Sequence, residues 1–194
     1  MKMIPINNKT GYLEIYIGSM YAGKTSRLLN IYRQLSLCNI KVLVINHTLD
    51  NRYTTESFMI SHDNISSNCI LINNLYDNIP LDSDILKNHD AFIINEAQFY
   101  TDIYDWVKTV IDIPYNKHVY LCGLDSDYKK KSFGNWLNLI PHCDKVEKLT
   151  SICSNCKRNV GIFTHRLNEC NDQIHIGTKQ YIPVCRSCYS ILNT

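Results

Sequence analysis

The stretch Gly18-Ser19-Met20-Tyr21-Ala22-Gly23-Lys24-Thr25 constrains this chain more than any other. It fits the pattern G-x-x-x-x-G-K-[ST]. Glycines let backbone N–H groups turn inward around phosphate oxygens, the lysine reaches the β- and γ-phosphates, and the hydroxyl of Thr25 can ligate Mg²⁺. A chance match in a glycine turn is the alternative, and context decides against it. The alternating segment Leu13–Ile17 runs straight into the motif. Thr25–Leu37 then carries Leu28, Leu29, Ile31, Tyr32 and Leu35 at helical spacing. Strand, loop and helix in that order are what a nucleotide-phosphate site requires.

Further apolar runs follow at Lys41–Ile45, Asn68–Ile72, Ala91–Ile94 and Val119–Leu124, with a helical pattern over Ile103–Ile111. Strands alternating with helices or long connections imply parallel pairing and right-handed crossovers. Near-continuous apolar strands suit a sheet covered on both faces. The expected fold is α/β: a RecA-like P-loop domain over residues 1–148. From about Leu149 the texture changes to cysteine pairs, polar turns and short β-like runs, which reads as a small zinc-held lobe over residues 149–194.

Nine cysteines in 194 residues raise the question of disulfides. The count is odd and no N-terminal apolar segment precedes it, so a reduced, soluble, cytoplasmic protein is expected. Cys153-x-x-Cys156 and Cys185-x-x-Cys188 have the spacing of two metal knuckles, and four thiolates suit a tetrahedral structural Zn²⁺. A redox CxxC is the other reading of either pair alone. His165 and His175 lie between the knuckles and are read as surface or hydrogen-bonding residues. Cys38, Cys69, Cys122, Cys143 and Cys170 read as small buried or reduced thiols. The formal charge of +2 offers no electrostatic case for nucleic acid or membrane as partner. The one basic run, Lys129-Lys130-Lys131, reads as a solvated loop.

The run Ala91–Ile94 ends in Asn95-Glu96-Ala97-Gln98. In a P-loop domain the end of a neighbouring strand delivers groups that manage Mg²⁺ and the attacking nucleophile. Glu96 is the candidate general base for a hydroxyl, and a plain helix cap is the alternative. Asn95 stands where an acidic residue would usually face the metal's water, so an uncharged amide oxygen takes that place.

These blocks together resemble one family, the type II thymidine kinases. Gly18–Thr25, Asp50-Asn51-Arg52-Tyr53, Ser61-His62-Asp63, Ile94–Tyr100, Gly123–Gly134, Phe163–Arg166 and Tyr181 match its blocks in order, with the zinc knuckles. The resemblance implies transfer of the ATP γ-phosphate to the 5′-hydroxyl of thymidine, and possibly of deoxyuridine, in nucleotide salvage. It implies Glu96, Lys24 and Arg52 as catalytic residues, with Asp50, Arg52, Asn95 and Gln98 joining the phosphate loop around ATP. Met20, Glu96, Phe99, Leu124, Tyr128, Phe133 and Thr164 would surround the nucleoside. Ile174, Ile176, Gly177 and Tyr181 would belong to a lasso loop over the base. ATP, Mg²⁺ and structural Zn²⁺, feedback inhibition by thymidine triphosphate and a homotetramer are further implications. Two rivals stay open: a zinc-ribbon ATPase acting on nucleic acid, and a kinase for another nucleoside or a monophosphate, for which Arg52 and Arg166 are the acceptor-side arginines at hand.

Overall fold

The structure is a computed structural model that describes residues 10–50, 58–60, 66–168, 172–173 and 180–193. Strand β1 (Tyr12–Gly18) enters the phosphate loop, and helix α1 (Lys24–Leu37) leaves it. Then come β2 (Val42–His47), the short antiparallel pair β3 (Phe58–Ile60) and β4 (Ser66–Asn68), and β5 (Ile70–Ile72). Two short helices, α2 (Leu75–Asn78) and α3 (Asp84–Asn88), lead to β6 (Ala91–Ile94), which ends in a single 3₁₀ turn, Ala97–Phe99. Helix α4 (Ile103–Ile111), β7 (His118–Gly123), a second 3₁₀ segment (Trp136–His142) and β8 (Lys145–Leu149) follow. The chain closes with β9 (Ser151–Ile152), β10 (Val160–Gly161), β11 (Phe163–Arg166), β12 (Tyr181–Val184) and α5 (Arg186–Leu192).

Six strands form one sheet in the order β5-β2-β6-β7-β1-β8, every pairing parallel. Alternate side chains of the same strands feed two cores. Leu13, Ile15, Ile45, Phe92, Ile94, Val119 and Leu121 pack under α4, around Trp106, Val107 and Val110. Tyr16, Val44, Ala91, Ile93, Tyr120 and Cys122 pack under α1, against Leu28, Leu29, Ile31 and Leu35. Burial on both faces is why these strands read as unbroken apolar runs.

One expectation is corrected, and two features of the sheet go beyond the sequence reading. The run Asn68–Ile72 is two strands: β4 ends at Asn68 in the antiparallel pair, and β5 joins the sheet beside β2. β6 is not adjacent to β1, because β7 lies between them. β8 gave no apolar signal, since Lys-Val-Glu-Lys-Leu forms the sheet's edge and keeps Lys145, Val146 and Lys148 exposed. Charged side chains on an edge strand also discourage further pairing.

Beyond β8 the sheet gives way to two small antiparallel pairs, β9–β10 and β11–β12. Their core is Cys153, Val184, Cys185, Cys188 and Tyr189, with Phe163 and Ile182 packed against it. Phe163 and Tyr189 meet at 5.2 Å between ring centroids. The basic run is exposed as expected, but Lys130 Nζ lies 4.4 Å from the Tyr189 ring centroid and so caps this small core.

Candidate active site

The carboxyl ends of β1, β2, β6 and β7 meet over one cleft. Its floor is the phosphate loop. Gly23 holds φ +79°, a left-handed conformation that precedes α1 and favours glycine. Gly18 passes so close to β8 that a Cβ there would stand 2.3 Å from the Leu149 carbonyl oxygen. Lys24 is buried and folds back, donating to the carbonyls of Gly18 at 3.1 Å and Ser19 at 2.8 Å. The loop is also tied to the C-terminal strands. Ser19 Oγ donates to the Gly161 carbonyl at 3.3 Å, and the Met20 N–H donates to Thr164 Oγ1 at 3.1 Å.

The second wall follows β6. Glu96 is buried and left-handed at φ 53° and ψ 46°, a conformation that costs a non-glycine residue about 1–2 kcal/mol. Its side chain makes no cap bond, so the helix-cap alternative is not realised. Gln98 Nε2 donates to Glu96 Oε2 at 2.5 Å, while Gln98 Oε1 accepts the Leu124 N–H at 3.0 Å. One carboxyl oxygen is thereby held, and Glu96 faces the cleft. Asn95 lies beneath, where its Oδ1 accepts from Cys122 Sγ at 2.9 Å and Thr25 Oγ1 at 3.5 Å. Asp50 also faces the cleft. His47, at the end of β2, packs edge-on to Tyr100 with centroids 4.8 Å apart and lies 5.5 Å from Phe99. Burial lowers its pKa, partly offset by the Asn73 backbone and by Glu96 and Asp50. The neutral ring accepts the Leu49 N–H at 3.0 Å.

The far end of the cleft is aromatic. Phe99 and Phe133 meet edge to face at 5.6 Å, with Leu124, Tyr128, Thr164 and Tyr181 around them. Arg166 joins the strands behind it to the loop after β7. Its guanidinium lies 3.8 Å from the Tyr128 ring centroid, and it donates to Tyr181 Oη and the Asp172 carbonyl, each at 2.5 Å. A guanidinium so engaged braces the cleft, tying the Tyr128 loop to the start of β12. Asp127 and Gln173, which sequence reasoning missed, latch the same two segments through a Gln173 Nε2 to Asp127 Oδ2 bond of 2.9 Å.

Of the residues expected around ATP and nucleoside, Met20, Tyr21, Ala22, Gly23, Lys24, Thr25, Asp50, Glu96, Gln98, Phe99, Leu124, Tyr128, Phe133, Thr164 and Tyr181 line this cleft. Gly18, Ser19 and Asn95 support it from behind. Arg52, Ile174, Ile176 and Gly177 lie outside the described residues, as do His175 and Cys170.

The four knuckle cysteines converge, with their sulfur atoms all within 4.8 Å of one another. Cys156 and Cys185 are 3.9 Å apart, close to the ~3.8 Å edge that a tetrahedron with Zn–S bonds of about 2.3 Å would have. Burial works against the Cys153 thiolate, but the backbone N–H groups of Cys156, Cys185 and Asn155 outweigh it and bring its pKa to about 6. The set fits a structural zinc with no open position. Two pairs that close on one another also leave neither free as a redox CxxC. His165 stays out of it: it is buried, and Asn193 Nδ2 lies 3.1 Å from its Nδ1. Its expected hydrogen bond is found, while a surface position is not.

A parallel sheet with its phosphate loop, a buried carboxylate across the cleft and an apolar aromatic pocket define the class: a P-loop phosphotransferase for a small aromatic acceptor. Residues 11–189 match the family model described as thymidine kinase. The thymidine kinase of Choristoneura fumiferana entomopoxvirus is 33% identical, over 94% of this chain and 98% of its own. That of Yaba monkey tumor virus is 32% identical over 97% of this chain and 99% of its own. That of Oryza sativa is 33% identical over 92% of this chain and 66% of its own. This chain belongs to the thymidine kinase family.

Proposed function

We propose that the chain moves the γ-phosphate of ATP to the 5′-hydroxyl of thymidine, giving thymidine monophosphate and ADP in nucleotide salvage. The observation that carries this reading is the single cleft in which Lys24, Glu96 and the Phe99–Phe133 pair follow one another. Little covalent chemistry falls to the protein in phosphoryl transfer, so positioning and charge dominate. The phosphate loop holds the triphosphate, and Lys24 leaves its own loop carbonyls for the phosphate oxygens. Arg52 adds charge stabilisation there. Glu96 accepts the 5′-hydroxyl proton, its other oxygen fixed by Gln98. The aromatic pair holds the base, Met20 and Thr164 take the 5-methyl edge, and the lasso with Ile174, Ile176, Gly177 and Tyr181 covers it.

Thr25, Asn95 and Asp50 form the corner that would hold Mg²⁺, which would supply positive charge against the phosphates. Zn²⁺ at the four cysteines would hold residues 149–194 as a small lobe attached to residues 1–148, with no part in the chemistry. Deoxyuridine as a second substrate, feedback by thymidine triphosphate, a homotetramer, a cytoplasmic location and independence of nucleic acid belong to the same reading. No helix among the described residues is long and apolar enough to cross a membrane.

Release of ADP, measured with thymidine, deoxycytidine or single-stranded DNA, tests this. Thymidine-dependent release with thymidine monophosphate as product is expected. Release driven by DNA and indifferent to thymidine would replace this reading with the nucleic-acid ATPase.

A further inference from the structure

The polar groups beneath the phosphate loop form a hydrogen-bond chain with a fixed direction. Asp50 Oδ2 accepts from Asn46 Nδ2 at 3.0 Å. Asn46 Oδ1 accepts from Asn95 Nδ2 at 3.1 Å. Asn95 Oδ1 then accepts from Thr25 Oγ1 at 3.5 Å and from Cys122 Sγ at 2.9 Å. Asn46 and Asn95 are 2% and 1% exposed, so bulk water hardly competes for these groups.

A side-chain amide has one donating and one accepting end, and its partners decide which way it faces. A carboxylate only accepts. Asp50 therefore draws the NH₂ of Asn46 toward itself, which leaves the Asn46 oxygen facing Asn95. Asn95 must then turn its own NH₂ to Asn46 and its oxygen to Thr25. At the end of the chain is a hydroxyl with one proton and two lone pairs. A hydroxyl that ligates a cation has to send its proton elsewhere, and Asn95 Oδ1 is where it goes. With Asn95 reversed, an NH₂ would face Thr25 and the Thr25 proton would point toward the metal. A carboxylate at position 95 would accept at either oxygen and need no such help; an amide does.

We propose that Asn46 is a positioning residue for the metal–nucleotide side of this site: it passes the acceptor polarity of Asp50 to Asn95 and so keeps a lone pair of Thr25 turned to the cation. The inference rests on the phosphate-loop reading of Thr25 given above.

The test is binding of Mn²⁺, followed by electron paramagnetic resonance, to the full chain with a non-hydrolysable ATP analogue. Asn46→Leu keeps the size of the side chain and removes both bonds. Loss of an outer contact of this kind weakens metal binding by roughly tenfold. Weakening by about fivefold or more is expected in protein that still unfolds cooperatively and binds thymidine, and a smaller change overturns the proposal. If Asn46→Leu does not fold, Asn46→Ala, which removes the same two bonds with less bulk, decides by the same fivefold criterion. A parent chain that binds Mn²⁺ but makes no thymidine monophosphate would sink the thymidine reading and leave this inference standing.

Discussion

Glu96 illustrates how much one residue can concentrate. It is buried, left-handed and held by Gln98, a conformation maintained against its own backbone preference. Glu96→Gln should lower kcat by about two orders of magnitude or more with thymidine binding largely intact. Single-turnover kinetics and calorimetry check the two halves of that statement. Asn95→Asp places charge beside the metal corner, and the Mg²⁺ concentration for half-maximal activity should fall. The same change removes the donor to Asn46, so the thermal midpoint should fall by the equivalent of about 1 kcal/mol. An unchanged Mg²⁺ curve would take position 95 away from the metal. Two histidines, His47 and His165, have pKa values lowered by burial. The unfolded chain therefore binds protons that the fold refuses. Their contribution to stability is present above about pH 6.5 and is lost as the pH falls below it. The thermal midpoint should drop between pH 7 and pH 5, and His47→Phe, which keeps the ring contacts with Phe99 and Tyr100, should make that drop shallower.

At the scale of elements, the short C-terminal strands matter through what they carry to the phosphate loop. β11 supplies Thr164 for the Met20 N–H, the residue at the end of β10 accepts from Ser19, and β12 begins with Tyr181. The two-strand pairs bury little apolar surface, and hairpins of that size are marginal alone. The four-cysteine cluster stabilises them. Cys188→Ser should lower the thermal midpoint by about 10 °C, the scale expected for loss of a structural metal in a chain of this size. Bound zinc, measured by atomic absorption, should fall from about one per chain to well below it. ATP-analogue affinity should weaken as well, because the loop loses its two ties. Unchanged affinity in zinc-free, folded protein would mean those bonds do not shape the phosphate site.

Across the whole molecule, the cleft depends on two segments far apart in sequence being clasped: the loop after β7 by Tyr128 and Asp127, the C-terminal strands by Arg166 and Gln173. Arg166→Ala should raise KM for thymidine by about tenfold with a smaller effect on kcat, since a positioning contact is lost and no reacting group is. ATP hydrolysis without thymidine should rise as the cleft admits water. Equal losses in kcat and kcat/KM would instead put Arg166 in the transition state.

The sequence by itself determined whatever is local or periodic. The phosphate loop needs its glycines, lysine and threonine at fixed offsets, so strand β1, helix α1 and the nucleotide site could be read from one octapeptide. Ala91–Ile94, Ile103–Ile111 and the four-cysteine set were legible for the same reason: a doubly buried strand, an amphipathic helix and paired thiols each leave a pattern within a few residues. What only the tertiary structure decided lies between segments. Nothing about a lone Asn46 at a strand end marks it as the partner of Asn95, 49 positions away. Asp127 and Gln173 look like ordinary loop residues until the fold sets them 2.9 Å apart. The edge strand β8, half charged, shows itself only by pairing with β1. A hydrogen bond is specified by geometry over a few ångströms, and the chain that brings its ends together carries no trace of the pairing in its local order.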